Sequence, residues 1–263
     1  VHLTVGSKLH VESKQDTETY TESNSQAGFS ISTGVMNGRL GSTTTQAGLG
    51  IGAIDSQYAS VINQAGIYAG QGGYTVNVAN NTCLQGAVID STAAESKNKL
   101  TTGMLTMETI ENKAEYTVKG GGLSYAHYGD KKTQQEKANT TGLLPSLTPG
   151  SKNNASSITT SAVSPGTITT TKETTDISNI NRDTRNALNT LANTFDKQKI
   201  EERQKLSQLF LKNADMLLHH YNRDGKIDKA VAHGLAAEFA ASLAGNSAGS
   251  GFYAGFINEL LVN

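Results

Sequence analysis

The sequence predicts a mainly β chain, a parallel β-helix followed by a small α-helical region, and three observations carry that expectation. Short apolar/polar alternations recur through the first half, at Leu3-Thr4-Val5, Leu9-His10-Val11, Phe29-Ser30-Ile31, Tyr74 to Val78, Ala87-Val88-Ile89 and Leu105-Thr106-Met107. Turn signals stand between them, at Gly72-Gly73, Asn80-Asn81 and Gly120-Gly121-Gly122. Aromatic residues make up only 6% and tryptophan is absent, so a thick core of bulky side chains is out of reach. A chain with such small inward residues can fold by stacking many thin layers, because each added coil covers the last and extends its hydrogen-bond ladder. Asn in such coils can add side-chain amide ladders. The same short strands would also suit an antiparallel sandwich or barrel.

Three regions follow from the pattern. Residues 1–142 are strand-and-turn material. Residues 143–180 form a Ser/Thr-rich connector, with Leu143-Leu144-Pro145, Pro149-Gly150 and the Thr-rich run around Ile168. Alternation at Ala162-Val163 and at Ile168 could lay one strand of this connector against the β-helix. Residues 181–263 are predicted helical. Asp183 is a candidate N-cap, followed at helical spacing by Leu188, Leu191 and Phe195, then by Leu206, Leu209, Phe210, Leu217 and Tyr221. The charged run from Asp196 to Gln204 reads as a solvated helix middle, with Ile200 on its far side. A turn at Asn222 to Gly225 leads to a second helix from Asp228 to Ala244, and a third reaches Val262.

The last two helices carry the sharpest local pattern. Ala232, Ala236 and Ala240 make a stripe of small residues beside Phe239, and Gly251 and Gly255 make another beside Phe252 and Phe256. Small residues let helices approach closely, which predicts a helix–helix contact. Phe239 to Ile257 holds no charge and approaches the roughly 20 residues of a membrane span, so a membrane contact is the alternative reading. Gly245-Asn246-Ser247 and Gly249-Ser250-Gly251 interrupt the stretch and favour the soluble hairpin.

Little else points to chemistry. The formal net charge is −1, which provides no global attraction for nucleic acid, and no nucleic-acid partner is expected. Asn222 to Asp228 resembles the middle of a calcium loop, but His220 and Val231 stand where the strongest ligands belong. His219, His220 and His233 lack Cys or carboxylate partners at ligand spacing, so no metal is expected. Cys83 excludes an internal disulfide and lies among strand-like residues, where a buried, inert thiol is expected. Gly70 to Gly73 lacks the Lys-Ser/Thr ending of a phosphate loop, and no cofactor is expected. No catalytic pair stands out, so the chain is expected not to be an enzyme. Val1 lies inside an alternation with neither Met nor a leader before it, and the chain is expected to be part of a longer one.

Several segments resemble one family in collinear order. Tyr58 to Val61, Gln64 to Gly70, Gly72-Gly73-Tyr74, Leu84 to Ile89, Asn98-Lys99-Leu100, Gly103-Met104-Leu105 and Ile110 to Ala114 resemble the haemagglutinin-repeat block of filamentous-haemagglutinin-like two-partner-secretion exoproteins, including those of contact-dependent growth inhibition. Thr160 to Thr169 resembles the family's Ser-Ala-Ile/Val-Ser-x-Gly-Thr-Ile segment. Asn181 to Lys197, Ala232-His233-Gly234, Ala244-Gly245-Asn246 and Asn258 to Leu261 resemble its helical continuation and pretoxin region. The resemblance implies a right-handed β-helix, secretion to the bacterial cell surface through an outer-membrane two-partner-secretion transporter, and contact with the outer membrane or a receptor of a target cell. It implies a non-catalytic stalk and delivery segment that presents a C-terminal toxin, or alternatively the structural segment of a surface adhesin. A pectate-lyase-like enzyme would need clustered charged side chains on one outer face, where Ser, Thr, Asn and Gln prevail.

Overall fold

A computed structural model describes residues 1–36, 39–128, 142–146, 150–172, 177–221 and 229–243. The described chain is mainly β, with thirteen strands and two α-helices. The strands are β1 (His2–Val5), β2 (Leu9–Glu12), β3 (Asp16–Met36), β4 (Arg39–Ser60), β5 (Gly66–Ala69), β6 (Thr75–Gln85), β7 (Val88–Ser91), β8 (Lys99–Glu108), β9 (Ile110–Tyr128), β10 (Gly142–Ser146), β11 (Ser151–Thr159), β12 (Ala162–Val163) and β13 (Thr167–Thr170). The helices are α1 (Lys197–Tyr221) and α2 (Lys229–Leu243). The chain divides into two compact units, Val1–Thr19 with Gln57–Glu115 and Asn154–Thr194, and Tyr20–Ser56 with Tyr116–Asn153 and Phe195–Asn263.

The first unit is built on parallel ladders. One sheet runs β1-β6-β8-β13, with β2 also on β6, and another runs β12-β7-β5. Register carries Thr75 to Lys99 and Lys99 to Thr167, while Gly66 and Ala162 both face Val88. The strands therefore recur in the same order, β5 then β6, β7 then β8, β12 then β13, each set laid on the one before. The sheets are open, and none of them closes on itself. Alternation sets the faces. In β6, Val76, Val78, Thr82 and Leu84 are buried while Asn77 and Ala79 are exposed. The inward residues meet Leu100, Leu105, Ile89, Val163 and Ile168 in one core, with Leu3, Val5, Leu9 and Val11 packed partly buried against it. Each such apolar side chain contributes about 1.5–3 kcal/mol when fully buried, so many thin layers replace one thick core.

The corners allow little freedom. Gly73 has φ +74, and a Cβ there would stand 2.4 Å from the Lys97 carbonyl oxygen of the next layer. Asn98, fully buried one layer on, gives its side-chain N–H to the Pro165 carbonyl at 2.8 Å and accepts Thr167 N–H on its own backbone oxygen at 2.9 Å. Inside the stack, Thr82 and Thr102 share a buried hydroxyl hydrogen bond of 2.9 Å.

The predicted helix from Asp183 is not formed; residues 180–196 are irregular, and α1 begins at Lys197. The reason is competition from side-chain and cross-layer hydrogen bonds. Asp183 Oδ1 accepts the N–H groups of Arg185 and Asn186 in a local turn, each at 3.2 Å. The segment then runs along the first unit, where Thr160 N–H reaches the Ala187 carbonyl at 2.8 Å, Tyr58 Oη the Leu191 carbonyl at 2.9 Å and Thr190 Oγ1 the Val61 carbonyl at 2.9 Å. The cap that does form is Asp196, whose Oδ1 accepts Lys199 N–H at 3.0 Å. Ile200, in the charged run, is buried.

The second unit contains the outer lengths of β3, β4, β9 and β11, together with β10, in the sheet order β10-β9-β4-β3 with β11 on β9. Pairing of β10 with β9 is antiparallel, from Gly142 opposite Ala126 to Ser146 opposite Gly122. Helices α1 and α2 belong to this unit and pack together.

Asn112 ties the first unit's irregular segment to its strands. It is fully buried, accepts Val61 N–H at 2.9 Å, and donates to Thr159 Oγ1 at 2.9 Å and to the Asn189 carbonyl at 2.8 Å. Asn112→Ala should cost about 3 kcal/mol, since a buried donor and a buried acceptor lose their partner together. Exposed Asn77→Ala should stay within about 0.5 kcal/mol, and urea unfolding of both variants checks the contrast.

Candidate functional site

The first unit holds a cleft of about 530 Å³ where the end of β8 meets residues 160–161 and 179–181. Leu105, Met107 and Ile180 make its apolar wall, and Glu108, Thr109, Thr160, Ser161, Asn179 and Asn181 its polar rim. Its best-placed hydroxyl is committed to the backbone. Ser161 Oγ lies 2.8 and 2.7 Å from the Leu84 and Glu108 carbonyls, between which its single proton is shared, and accepts Ala87 N–H at 3.2 Å. Asn181 gives its N–H groups to Thr160 Oγ1 at 3.1 Å and to the Ser161 carbonyl at 3.2 Å. Ser161 and Asn181 are thus committed to holding the fold at the cleft's rim.

Near this cleft, on the outer side of the same sheet, His10, Cys83 and Thr106 stand in one register row, with Glu12, Gln85 and Glu108 in the next. Cys83 is half-buried rather than fully buried. Burial first, then the carboxylates of Glu108 and Glu12, push its thiol up, which keeps it protonated and unreactive at neutral pH. Glu12 is held below the usual carboxylate range chiefly by its hydrogen bond from Lys14, at 2.7 Å, and His10 Nε2 lies 3.5 Å from the same carboxylate.

In the second unit, the start of α1 is seated on an aromatic and ionic cluster. Phe195 packs on Tyr20 and Tyr116, with ring centroids 5.2 and 5.9 Å apart. Lys197 Nζ donates to Glu22 Oε2 at 2.7 Å and to Tyr20 Oη at 2.6 Å, and sits 5.1 Å from the Tyr20 ring centre. Tyr20 Oη also donates to Glu22. Hydrogen bonds from Lys197, then from Tyr20, hold the Glu22 carboxyl below the usual carboxylate range, and Glu22 in turn raises Lys197. Beside this cluster lies a cavity of about 300 Å³, lined by Glu22, Asn24, Gln26, Gly50, Gly52, Val118 and Gln204.

Of the residues singled out from sequence, Ala232, Ala236, Phe239 and Ala240 lie on α2. Its most buried face runs through Gly234, Ala237, Ala240 and Ala241, with Ala232 and Ala236 half-buried beside it. Phe239 is half-exposed and packs on Phe210 of α1 with ring centroids 4.8 Å apart. Gly251, Phe252, Gly255 and Phe256 lie outside the described residues, as does the Asn222–Asp228 stretch, and the side chains of His219, His220 and His233 are not described. Among the described residues no helix is long and apolar enough to cross a membrane, and no group of three or more His, Cys, Asp or Glu stands ready to hold a metal ion. Sequence reasoning missed the Tyr20–Glu22–Lys197 cluster. The i, i+2 spacing of Tyr20 and Glu22 in an alternating strand was the available signal, but nothing in it named a partner so far along the chain.

Comparison with known proteins supplies what the geometry alone does not. A tRNA nuclease CdiA of Burkholderia pseudomallei is 38% identical over 193 residues, covering 68% of this chain and 15% of that protein. A deoxyribonuclease CdiA of Yersinia pseudotuberculosis serotype O:3 (strain YPIII) is 37% identical over 233 residues, covering 86% of this chain and 21% of that protein. The chain is homologous to part of the CdiA proteins. A toxin CdiA of Yersinia pestis matches the same share of the chain but only 7% of its own length, so the chain spans no more than about a fifth of these three relatives. No family model and no solved structure matches. The relatives' names overturn three expectations from the sequence. A non-catalytic stalk or adhesin segment, a protein that is not an enzyme, and one with no nucleic-acid partner all conflict with homologues named as nucleases of tRNA and DNA. The composition misled because a net charge of −1 averages over the whole chain and reports nothing about a local site.

Two outcomes follow from the geometry. The Glu22 contact is fully present above the ordinary glutamate value of 4.5 and is lost as pH falls through the depressed folded value. Acid titration followed by tyrosine fluorescence should show the start of α1 loosening below pH 4.5, and Glu22→Gln should remove that transition. On α2, Ala240→Leu should overfill the buried face and cost about 1–3 kcal/mol in a thermal melt, whereas Ser242→Leu on the exposed side should be close to neutral.

Proposed function

We propose that the chain is a segment of a CdiA-type nuclease toxin working in contact-dependent growth inhibition. The whole protein is secreted, held at the bacterial surface, delivered to a neighbouring cell and acts there on nucleic acid. Export through an outer-membrane two-partner-secretion transporter and engagement of the target cell's outer membrane or a receptor belong to the same reading. One observation carries it. A tRNA nuclease and a deoxyribonuclease match this chain almost equally, at 38% and 37% identity over most of its length. Similarity that is indifferent to the nucleic acid cut reflects what these toxins have in common. The choice between tRNA and DNA therefore rests on residues that the shared similarity does not report.

Within that reading, residues 1–142 are a haemagglutinin-repeat part, 143–180 a connector and 181–263 a helical pretoxin-like part. The recurring parallel order β5-β6, β7-β8, β12-β13, with a common apolar interior, supports a right-handed parallel β-helix for the first unit. The packed pair α1 and α2, with Phe239 on Phe210, supports the helical part, and in this reading Ala232, Ala236 and Ala240 share that helix–helix contact.

The test is a competition between producer cells carrying the intact gene and otherwise identical target cells without it. The expected outcome is a contact-dependent fall in target viability, accompanied by cleaved tRNA or degraded chromosomal DNA in the targets. Inhibition that leaves both nucleic acids intact, or no inhibition at all, would overturn the proposal.

A further inference from the structure

The second unit's sheet meets the start of α1 on one face, near Tyr20, Glu22 and Tyr116, and carries large exposed apolar side chains on the other. The faces can be told apart from the contacts. Thr33 Oγ1 and Thr43 Oγ1 stand 3.3 Å apart across β3 and β4, and a Cβ on Gly52 would meet Asn24 Oδ1 at 2.6 Å. These two pairs advance along the strands in opposite directions, so β3 and β4 are antiparallel, and odd-numbered residues of both share one face while even-numbered residues share the other. The even face turns to α1, through Tyr20 and Glu22 on Lys197 and Phe195, and through Tyr116 of β9 on Phe195.

The odd face is apolar and open. Phe29, Ile31, Leu49 and Ile51 are 69%, 61%, 64% and 70% exposed. Alternation from Tyr116 and buried Val118 puts Leu123 and Tyr125 of β9 on the same side, at 42% and 41% exposed. Together these six side chains expose about 700 Å² of largely apolar surface, more than the few hundred Å² that a monomer usually leaves in one patch. Their layout is uneven in a useful way. Continuing the Thr33–Thr43 register puts Ala47 opposite Phe29 and Ala27 opposite Leu49, so these two large side chains each have a gap beside them, while Ile31 stands opposite Thr45 and Ile51 opposite Ser25. Between Glu22 and Asp55 the sequence contains a single charged residue, Arg39.

We propose that this odd face of β3, β4 and β9 is a self-association surface on which a second copy of the chain packs face to face. The exposed area is close to the roughly 800 Å² that each partner contributes to a stable interface. A two-fold contact brings a patch against its own image, which the apolar centre of this face tolerates, with Arg39, Asp55 and Lys119 towards its margins. Large side chains beside Ala-made gaps are what two sheet faces need to interdigitate at a spacing of about 10 Å. A lipid surface is the less suited occupant, because an interfacial segment draws on several flanking basic residues and the second-unit lengths of β3, β4 and β9 offer only Arg39 and Lys119.

Sedimentation velocity of the full chain over a range of concentrations tests this, with circular dichroism to verify folding. The wild-type chain should pass from monomer to dimer with rising concentration. Phe29→Glu combined with Ile51→Glu should weaken dimerisation by at least about 100-fold with an unchanged dichroism spectrum, since both sites are exposed in one copy. The milder pair Phe29→Ser with Leu49→Ser serves if the charged pair disturbs folding, and should weaken dimerisation in the same direction. Tyr68→Glu, exposed in the first unit, should dimerise as the wild type does. A chain that stays monomeric up to about 100 μM, where even a weak specific dimer would form, overturns the proposal. A dimer that survives both paired variants, or a monomer that instead floats with phosphatidylcholine vesicles through these residues, overturns it equally.

Discussion

The buried amide of Asn112 is the contact on which the first unit's assembly depends. Parallel ladders satisfy their own backbone groups, but an irregular segment laid against them does not, and each unpaired buried N–H or carbonyl costs about 1–3 kcal/mol. Residues 180–194 are such a segment. Asn112 presents an acceptor to Val61 and donors to Thr159 and Asn189, so one side chain serves three separate stretches of chain. Ser60, Thr190 and Tyr58 extend the same solution, each pairing a side chain with a backbone group across the junction. A carboxylate could not replace this amide, because it would turn an acceptor toward the Asn189 carbonyl.

The layers beneath that junction obey a geometric constraint. Parallel neighbours in register bring corner on corner, and corners leave no room for growth. Gly73 lies against Lys97, Asn98 reaches Pro165, and a Cβ on Gly166 would stand 2.5 Å from the Cβ of Asn98. Small or amide-bearing residues at these points let strands of only four residues stack closely enough to share a core of Val, Leu and Ile. The abundance of glycine and the scarcity of aromatics are thus two consequences of one architecture, in which thin layers must approach closely and the interior is narrow.

Much of this was legible in the sequence because it is local. Alternation at Leu3 to Val5, Tyr74 to Val78 and Leu105 to Met107 marked strands that exist, and Ala162-Val163 and Ile168 were legible as strand material inside a Ser/Thr-rich stretch. What escaped depends on partners distant in the chain. The helical spacing of Leu188, Leu191 and Phe195 is real, yet Thr190 and Asn189 bond to the strands instead of completing a helix. The Tyr20–Glu22–Lys197 cluster joins residues that no periodicity relates. Function was less legible still. No catalytic motif is legible in the sequence, yet parts of proteins named as nucleases are 37–38% identical to it, because similarity is registered over long stretches and a cleavage site by a handful of side chains.

The two units solve the same problem of apolar surface in different ways. In the first, alternation points Val76, Leu84 and Leu100 inward, and each layer is covered by the next. In the second, the apolar residues of β3 and β4 fall on one side in sequence, their other side meets α1 only near Tyr20 and Glu22, and Phe29, Ile31, Leu49 and Ile51 stay in water. Leaving that surface wet forgoes about 25 cal/mol per Å² that burial would return. Polar residues at these positions would remove the mismatch with water at little cost to strand formation, since the flanking Ser and Thr residues show that polar side chains suit these strands. An apolar row retained in an otherwise hydroxyl-rich hairpin is therefore better understood as a surface with an occupant than as a by-product of folding.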